Sequence, residues 1–573
     1  MTVDRVRAAF AAIENADRPE VWITLRPEGD VAREFEAASE AEVGPLAGLL
    51  LAVKNNVDVE GIETTAACPA FGRGPAAADA TAVARLRAAG ATVIGATNLD
   101  QFATGLVGQR SPYGRVRDAR RPRHISGGSS SGSSVAVALG FADIAIGTDT
   151  AGSGRIPAAL QGLVGIKPTL GVVSTEGVLP ACRSWDAVTI FARDLDTAAA
   201  AMSAMAGGDE ARAFPDDAPI AAPRAARIAV PETLVGMSPE WEAAFAAAAD
   251  RLRDDGCTVE TIPFESFFEA ARLLYDGALV AERHAAVGEF VDAHPDEVEP
   301  TVGAIVSRAG TVRASDMVTD LERLEKLRRR SLALLDGFDA LLIPTAPGHP
   351  TVEAVAADPI GVNSWMGTYT NFCNLFDLAA VAVPSGTVTD ATGTSQFGVT
   401  VVARTFADAV ALDLARRVQL ETPSAASPGS APALPSTPLP WPTRAGAPSV
   451  PLFVVGAHLP GQPLEAQLTA RGARWLGEAH TAEAYRLVAL DTVPPKPGLV
   501  RVGEGGVSIV GGLWQVPTAA LGTFLAELPA PMNLGQIELR AGSFVTGFGC
   551  DAASAVGARD ITEHGGWLAY LGV

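Results

Sequence analysis

The sequence predicts an α/β protein in two parts: a mixed, mostly parallel sheet covered by helices, then a small β-rich α+β domain. Three observations predict it. Residues 46–98 alternate apolar strand-like runs with a helical stretch, the pattern of a helix-covered sheet with parallel strands. At 573 residues the chain is too long for one core, so two domains are expected. Residues 422–449 are so dense in Pro, Ala and Ser that they read as an extended linker. The expected domains are therefore 1–421 and 450–573.

Taken in order, residues 2 to about 40 read as helices, since VRAAFAAI and REFEAASEAE carry apolar side chains at helical spacing. Gly44-Pro45 ends that segment. From Leu46, LLLAV reads as a strand, 79–90 as a helix with Val83 and Leu86 on one face and Gly90 as its C-terminal cap, and 91–98 as a second strand. Gly127 to Gly132 (GGSSSG) is too small and polar for core, whereas Val135 to Phe141 suits a packed helix and Asp143 to Gly147 a short buried strand. The core continues through VPETLV, LRDDGCTVETIPF, DALLIPTAP and FGVTVVA. Beyond the linker, LFVVGAHLPG, RWLGEA, YRLVAL, VSIVGGLWQV, IELRAGSFVTGF and GGWLAYL are strand-like, with helices at EAQLTARG and TAALGTFLAEL.

Lys and Arg number 44 against 65 Asp and Glu, a net charge of −21. So acidic a chain argues against nucleic acid or an anionic membrane as partner. Cys68, Cys182, Cys257, Cys373 and Cys550 are scattered without a CxxC, which argues against a zinc site and a disulfide framework, so no metal and no cofactor are expected. MTVDRVRAAFAAIENAD has charges throughout and no apolar core, so it does not read as a signal peptide. No run approaches the length of a membrane span. A cytoplasmic location is the expectation.

The chemistry concentrates in Thr148 to Arg155, TDTAGSGR. Glycines 152 and 154 let backbone N–H groups turn toward one point with the Ser153 hydroxyl beside them, which is how an oxyanion hole is built. Neither a Walker phosphate loop nor a Rossmann turn matches this stretch. A serine needs a base. His124 lies just before the Gly/Ser loop with no acid near it in sequence. Lys54 closes an apolar strand-like run; buried, it would lose its proton near neutral pH and could act as base, while in solvent it would be an ordinary strand-end lysine.

On these residues the sequence resembles the amidase signature family. GTDxxGSxR, GGSSxG and AVKxNxDVxG all occur at matching spacing. The resemblance implies Ser153 as nucleophile, Ser129 after a cis peptide as proton relay, and Lys54 as base. It implies an oxyanion hole from the N–H groups of Thr150, Ala151, Gly152 and Ser153. It covers about residues 5–420.

TTAACPAFG, TNLDQFATGLVGQRSPYG and the C-terminal unit are similar to the allophanate hydrolase branch of that family. The branch implies a small anionic acylurea substrate, allophanate, gripped by Tyr275 and Arg283 on one helix in LLYDGALVAERH. It implies that the C-terminal domain removes CO2 from the first product. There His458, in the Gly456 to Gly461 loop, is the candidate group, as either an acid or a structural residue. The resemblance allows a homodimer, and it admits association with urea carboxylase or with a cyanurate- or biuret-degrading enzyme. Other readings are a broader amidase, one component of an amidotransferase, or a C-terminal docking module.

Overall fold

The computed structural model describes residues 3–40, 44–420, 437 and 439–572. It divides into two compact units, one of Met1–Arg212 with Ala225–Ser436, the other of Ala213–Arg224 with Thr437–Val573.

The first unit is built on an eleven-stranded sheet among the described residues. Its strands are β1 (Trp22–Leu25), β2 (Leu50–Lys54), β3 (Thr92–Thr97), β4 (Ile144–Asp149), β5 (Val164–Lys167), β6 (Ala187–Ala192), β7 (Arg227–Pro231), β8 (Thr258–Ile262), β9 (Ala340–Pro344), β10 (Ala379–Asp390) and β11 (Gly393–Ala403). They lie in the order β1-β3-β2-β4-β6-β5-β10-β11-β9-β7-β8. β2 and β4 are buried at every position, so they read as unbroken apolar runs rather than alternating ones.

The sheet is mixed, as expected, but not mostly parallel. β2 runs parallel to β3 and β4, and β7 to β8 and β9. The pairs β1–β3, β4–β6, β5–β6, β5–β10, β10–β11 and β9–β11 are antiparallel. A crossover helix, Thr81–Ala88 between β2 and β3 or Pro239–Asp254 between β7 and β8, brings the chain back parallel. The long strands β10 and β11 instead meet in a hairpin whose last pair is Asp390 with Gly393. The sequence of 46–98 is thus a local pattern that does not extend to the whole sheet.

The N-terminal segment also differs from its reading. Helices Asp4–Ala16 and Glu28–Glu40 flank β1, which occupies what had read as a break between helices. Four residues are too short to show a period.

The second unit has a five-stranded sheet, β13-β16-β12-β18-β17, and a three-stranded one, β15-β14-β19. The strands are β12 (Ser449–Val454), β13 (Arg474–His480), β14 (Tyr485–Leu490), β15 (Lys496–Arg501), β16 (Val510–Pro517), β17 (Met532–Glu538), β18 (Phe544–Cys550) and β19 (Arg559–Asp560). Along β12, Leu452 and Val454 enter one core with Trp514 and Phe524, while Phe453 packs in a second core with Tyr485 and Leu487. That is the two-residue period of a strand covered on both faces. IELRAGSFVTGF proves to span β17 and β18, and GGWLAYL holds the helix Trp567–Leu571.

Two findings bear on the expected boundaries. The linker expected at 422–449 lies outside the described residues at 422–436 and at 438. From 439 on the chain is folded: Trp441–Arg444 is a helical turn with Trp441 fully buried, and β12 begins at Ser449. The second unit also includes Ala213–Arg224, which is distant in sequence. Ile220 N donates to Gly472 O at 3.0 Å, Ala519 N to Asp216 O at 2.9 Å, and the Phe214 ring meets Trp441 edge-on at 5.6 Å.

Candidate active site

The first unit's site gathers at the carboxyl ends of β2 and β4, where open α/β sheets bind their ligands. Parallel pairing of Val53 with Ile146 brings the two strand ends side by side. Lys54, the last residue of β2, is wholly buried, with Nζ 2.8 Å from Ser129 Oγ and 2.7 Å from Thr148 Oγ1. Among the described residues no carboxylate lies within ion-pairing distance of it. Burial drives its pKa down from 10.5 to about 7, and the Arg283 charge adds to the effect; Asp100, Asp186 and Asp149 pull the other way. At neutral pH a large share of this amine carries a free lone pair.

Ser129 stands just before the helix Ser131–Ala138, and the Gly128–Ser129 peptide is cis. Its neighbour Gly128 admits no side chain, since a Cβ there would lie 2.2 Å from Asp100 Oδ2. Asp100 organises the facing loop: its carboxylate accepts the N–H groups of Val107, Gly108, Gln109 and Arg110 at 2.8–3.2 Å. Its own N–H donates to Ser129 O at 3.2 Å.

Ser153 lies in the turn after β4, nearly buried, with Oγ 3.5 Å from Gly105 O. The turn is wound around Asp149. Asp149 takes Arg155 in a two-point pair at 2.9 and 3.0 Å, with both residues fully buried. Burial raises the Asp149 pKa, but the Arg155 guanidinium, Lys167 and the Gly154 N–H together more than offset it and hold the carboxyl below its ordinary value. The same carboxylate accepts the N–H of Gly154 at 3.0 Å and that of Gly152 at 2.9 Å.

This corrects one sequence expectation. Gly152 N–H does not face an oxyanion, because Asp149 already holds it. The N–H groups of Thr150, Ala151 and Ser153 are left for that role. Gly152 remains irreplaceable for another reason: its φ is +134°, and a Cβ would lie 2.4 Å from Thr370 Oγ1.

Tyr275 and Arg283 meet, though not on one helix. Tyr275 belongs to Glu265–Asp276 and Arg283 to Ala281–Ala293, separated by an extended Gly277 and the turn Ala278–Val280. The eight-residue spacing gave the right contact through the wrong element. Arg283 Nη2 donates to Tyr275 Oη at 3.1 Å, with the guanidinium over the ring at 5.0 Å from its centroid. Nη1 donates to Thr104 Oγ1 at 2.9 Å, and Nε is buried without a hydrogen-bond partner among the described residues. Thr104 adjoins Gly105, whose carbonyl lies beside Ser153, so the guanidinium and the nucleophile candidate border one short loop.

His124 lies apart from these groups, its ring 5.0 Å from that of His349; burial first, then His349 and Arg121, lower its pKa to about 4. His458 belongs to the second unit. Its ring stacks on Phe548 at 4.9 Å, and Nε2 lies 2.9 Å from Gln467 Oε1. Burial, with the Lys496 charge, lowers its pKa against the opposing pull of Gln467. It borders a cavity of about 240 Å³ whose other polar side chains are Gln467, Lys496 and Glu527.

Sequence reasoning missed Thr148, Asp100, Thr104 and Asp186. Thr148 stands within GTD and was within reach of it. Asp186 accepts from Thr150 Oγ1 and from the N–H groups of Ala181 and Cys182, a fold-back that no local pattern announces.

A serine-and-lysine site on this mixed sheet is that of an amidase, and the chain belongs to the amidase family: the Amidase family model matches residues 4–412. The Allophanate hydrolase C-terminal domain model matches residues 450–572. A solved Kluyveromyces lactis allophanate hydrolase is 36% identical, with a TM-score of 0.86 over 100% of this chain and 99% of that one. The urea amidolyase of Lachancea kluyveri is 40% identical over 97% of this chain but only 32% of its own length, so this chain spans about a third of that relative. The solved urea amidolyase of Kluyveromyces lactis is 37% identical, with a TM-score of 0.88 over 100% of this chain and 36% of that one.

Proposed function

We propose that the chain hydrolyses allophanate, with Ser153 as nucleophile, Ser129 as proton relay and Lys54 as base. The observation that carries the substrate is Arg283, a buried guanidinium with no carboxylate partner among the described residues, one loop residue away from the carbonyl beside Ser153. A buried cation is costly unless an anion meets it. The carboxylate of allophanate supplies that anion, with Tyr275 beside it.

The Ser153 oxygen adds to the terminal amide carbon while its proton passes to Ser129 Oγ, whose own proton passes to Lys54 Nζ. Negative charge gathers on the carbonyl oxygen, toward the N–H groups of Thr150, Ala151 and Ser153. Collapse breaks the C–N bond, and the proton returns along the same path to the departing ammonia. Water then releases the acyl group by the same relay.

The carboxylated product goes on to lose CO2, with the C-terminal unit assisting, so that ammonia and CO2 are the final products. The C-terminal family match and the cavity at His458 and Lys496 support this part. Similarity to urea amidolyases, in which such a chain is about a third of a longer protein, supports association with a urea carboxylase. Ammonia release from allophanate, biuret, malonamide, glutamine and urea tests the reading. Allophanate should be turned over best, and Ser153→Ala should abolish the reaction; faster release from glutamine or malonamide would overturn it.

A further inference from the structure

The turn that carries Ser153 is held from outside by the helical turn Asn371–Leu375. Arg155 Nη1 donates to Thr370 O at 3.1 Å and Nη2 to Asn374 Oδ1 at 2.9 Å. Asn374 Nδ2 donates to Asp149 O at 2.7 Å and to Trp185 O at 2.9 Å. Turned with its nitrogen toward the turn, the orientation that satisfies more of its neighbours, the Asn371 amide donates to Ala151 O at 2.7 Å and to Gly367 O at 3.3 Å; turned the other way, the nitrogen reaches Ala271 O at 3.4 Å.

The Ala151 carbonyl and the Gly152 N–H belong to one peptide plane. Asn371 holds its oxygen and Asp149 its hydrogen, so the plane is fixed at both edges. The planes on either side carry the N–H groups of Ala151 and Ser153, which are free of Asp149. ψ of Ala151 and φ of Gly152 are the soft angles that set this plane against its neighbours, so a plane held at both edges narrows the angles that orient the Ala151 and Ser153 N–H groups relative to each other.

We infer that Asn371 is a positioning residue for acyl transfer: through the Ala151 carbonyl it keeps the neighbouring N–H groups aimed at the oxyanion. Its side-chain hydrogen bonds go to backbone carbonyls and to none of the Lys54, Ser129 and Ser153 side chains. Its effect falls on the transition state, where charge gathers, more than on substrate binding.

The inference rests on Ser153 being the nucleophile, so the test uses a probe that needs no allophanate. A small alkyl fluorophosphonate forms a bond from Ser153 Oγ to phosphorus as fluoride leaves and the hydroxyl proton passes to the base, and the phosphoryl oxygen takes the oxyanion's place. Asn371→Ala and the volume-keeping Asn371→Leu are compared with the parent at a temperature where near-ultraviolet circular dichroism shows both folded. Labelling of Ser153 should slow about tenfold or more in each, and kcat on allophanate should fall by a similar factor with KM within about twofold. Parental labelling rates in either folded variant, or a loss confined to KM, would overturn the inference. A parent that is not labelled on Ser153 would overturn the nucleophile reading and this inference with it.

Discussion

Lys54 Nζ and Ser129 Oγ lie 2.8 Å apart in a fully buried setting, with Thr148 Oγ1 as the amine's other close partner. An amine so placed has hydroxyls as its close partners and, among the described residues, no carboxylate within ion-pairing distance; the more distant Asp100, Asp186 and Asp149 only partly offset its burial. Its pKa near 7 follows from burial, and so does its fitness as a base.

The pH profile of kcat/KM should therefore show an acid limb near pH 7, with activity falling as Lys54 takes up its proton. Asp186 helps to keep that proton, so Asp186→Asn should move the limb to lower pH. Lys54→Arg should stay inactive, because a guanidinium does not deprotonate at working pH. A flat profile down to pH 5, or an active Arg variant, would remove Lys54 as the base.

The same shift makes a stability prediction of defined sign. The folded pKa of about 7 lies below the ordinary 10.5, so between these values the unfolded chain binds a proton that the folded chain does not. Stability then rises with pH through that window by about 1.4 kcal/mol per unit from this residue. Lys54→Met lacks the term, so its stability relative to the parent should be most favourable below pH 7 and should decline toward pH 10. Denaturant melts across that range check it; a constant difference would mean that Lys54 is charged in the fold.

Arg283→Ala should act selectively. A charge-assisted hydrogen bond is worth about 1.5–3 kcal/mol, so turnover of allophanate should fall by about one to two orders of magnitude. A neutral amide, where one is accepted, should be little affected. Steady-state kinetics on both substrates decide it, since equal losses would make Arg283 structural.

The segment Ala213–Arg224 gives a prediction about stability rather than chemistry. Ile220, in a segment that belongs to the second unit, is fully buried, and Ile220→Ala should destabilise that unit by about 2–4 kcal/mol. Hydrogen exchange in the full chain should show faster exchange in β13 and the helix Thr518–Ala526, next to Gly472 and Ala519. Unchanged exchange there would mean that the segment is not part of that core.

The residues proposed for catalysis were legible because each stands in a distinctive local pattern. GTD with its glycines, the GGSS loop and a lysine closing an apolar strand each stand out within a few residues. The contacts that aim those residues were not legible. Asp186, Asn371 and Asn374 reach the residues they hold in the Ser153 turn from 36 to 225 positions away, and nothing in their own neighbourhoods marks them. The break at Gly277 hid the helix boundary between Tyr275 and Arg283, since the residues on both sides are helical in character. Strand direction failed for a similar reason: the turn between β10 and β11 decides it, while the apolar run does not.

The most direct measurement is the site of the covalent intermediate. The enzyme is quenched in acid during steady-state turnover of allophanate and digested, and the acylated peptide is mapped by mass spectrometry. An acyl group on Ser153 is expected, released with hydroxylamine and absent from Ser153→Ala, with ammonia already free at the time of quench. An acyl group on Ser129 or any other residue would contradict Ser153 as the nucleophile.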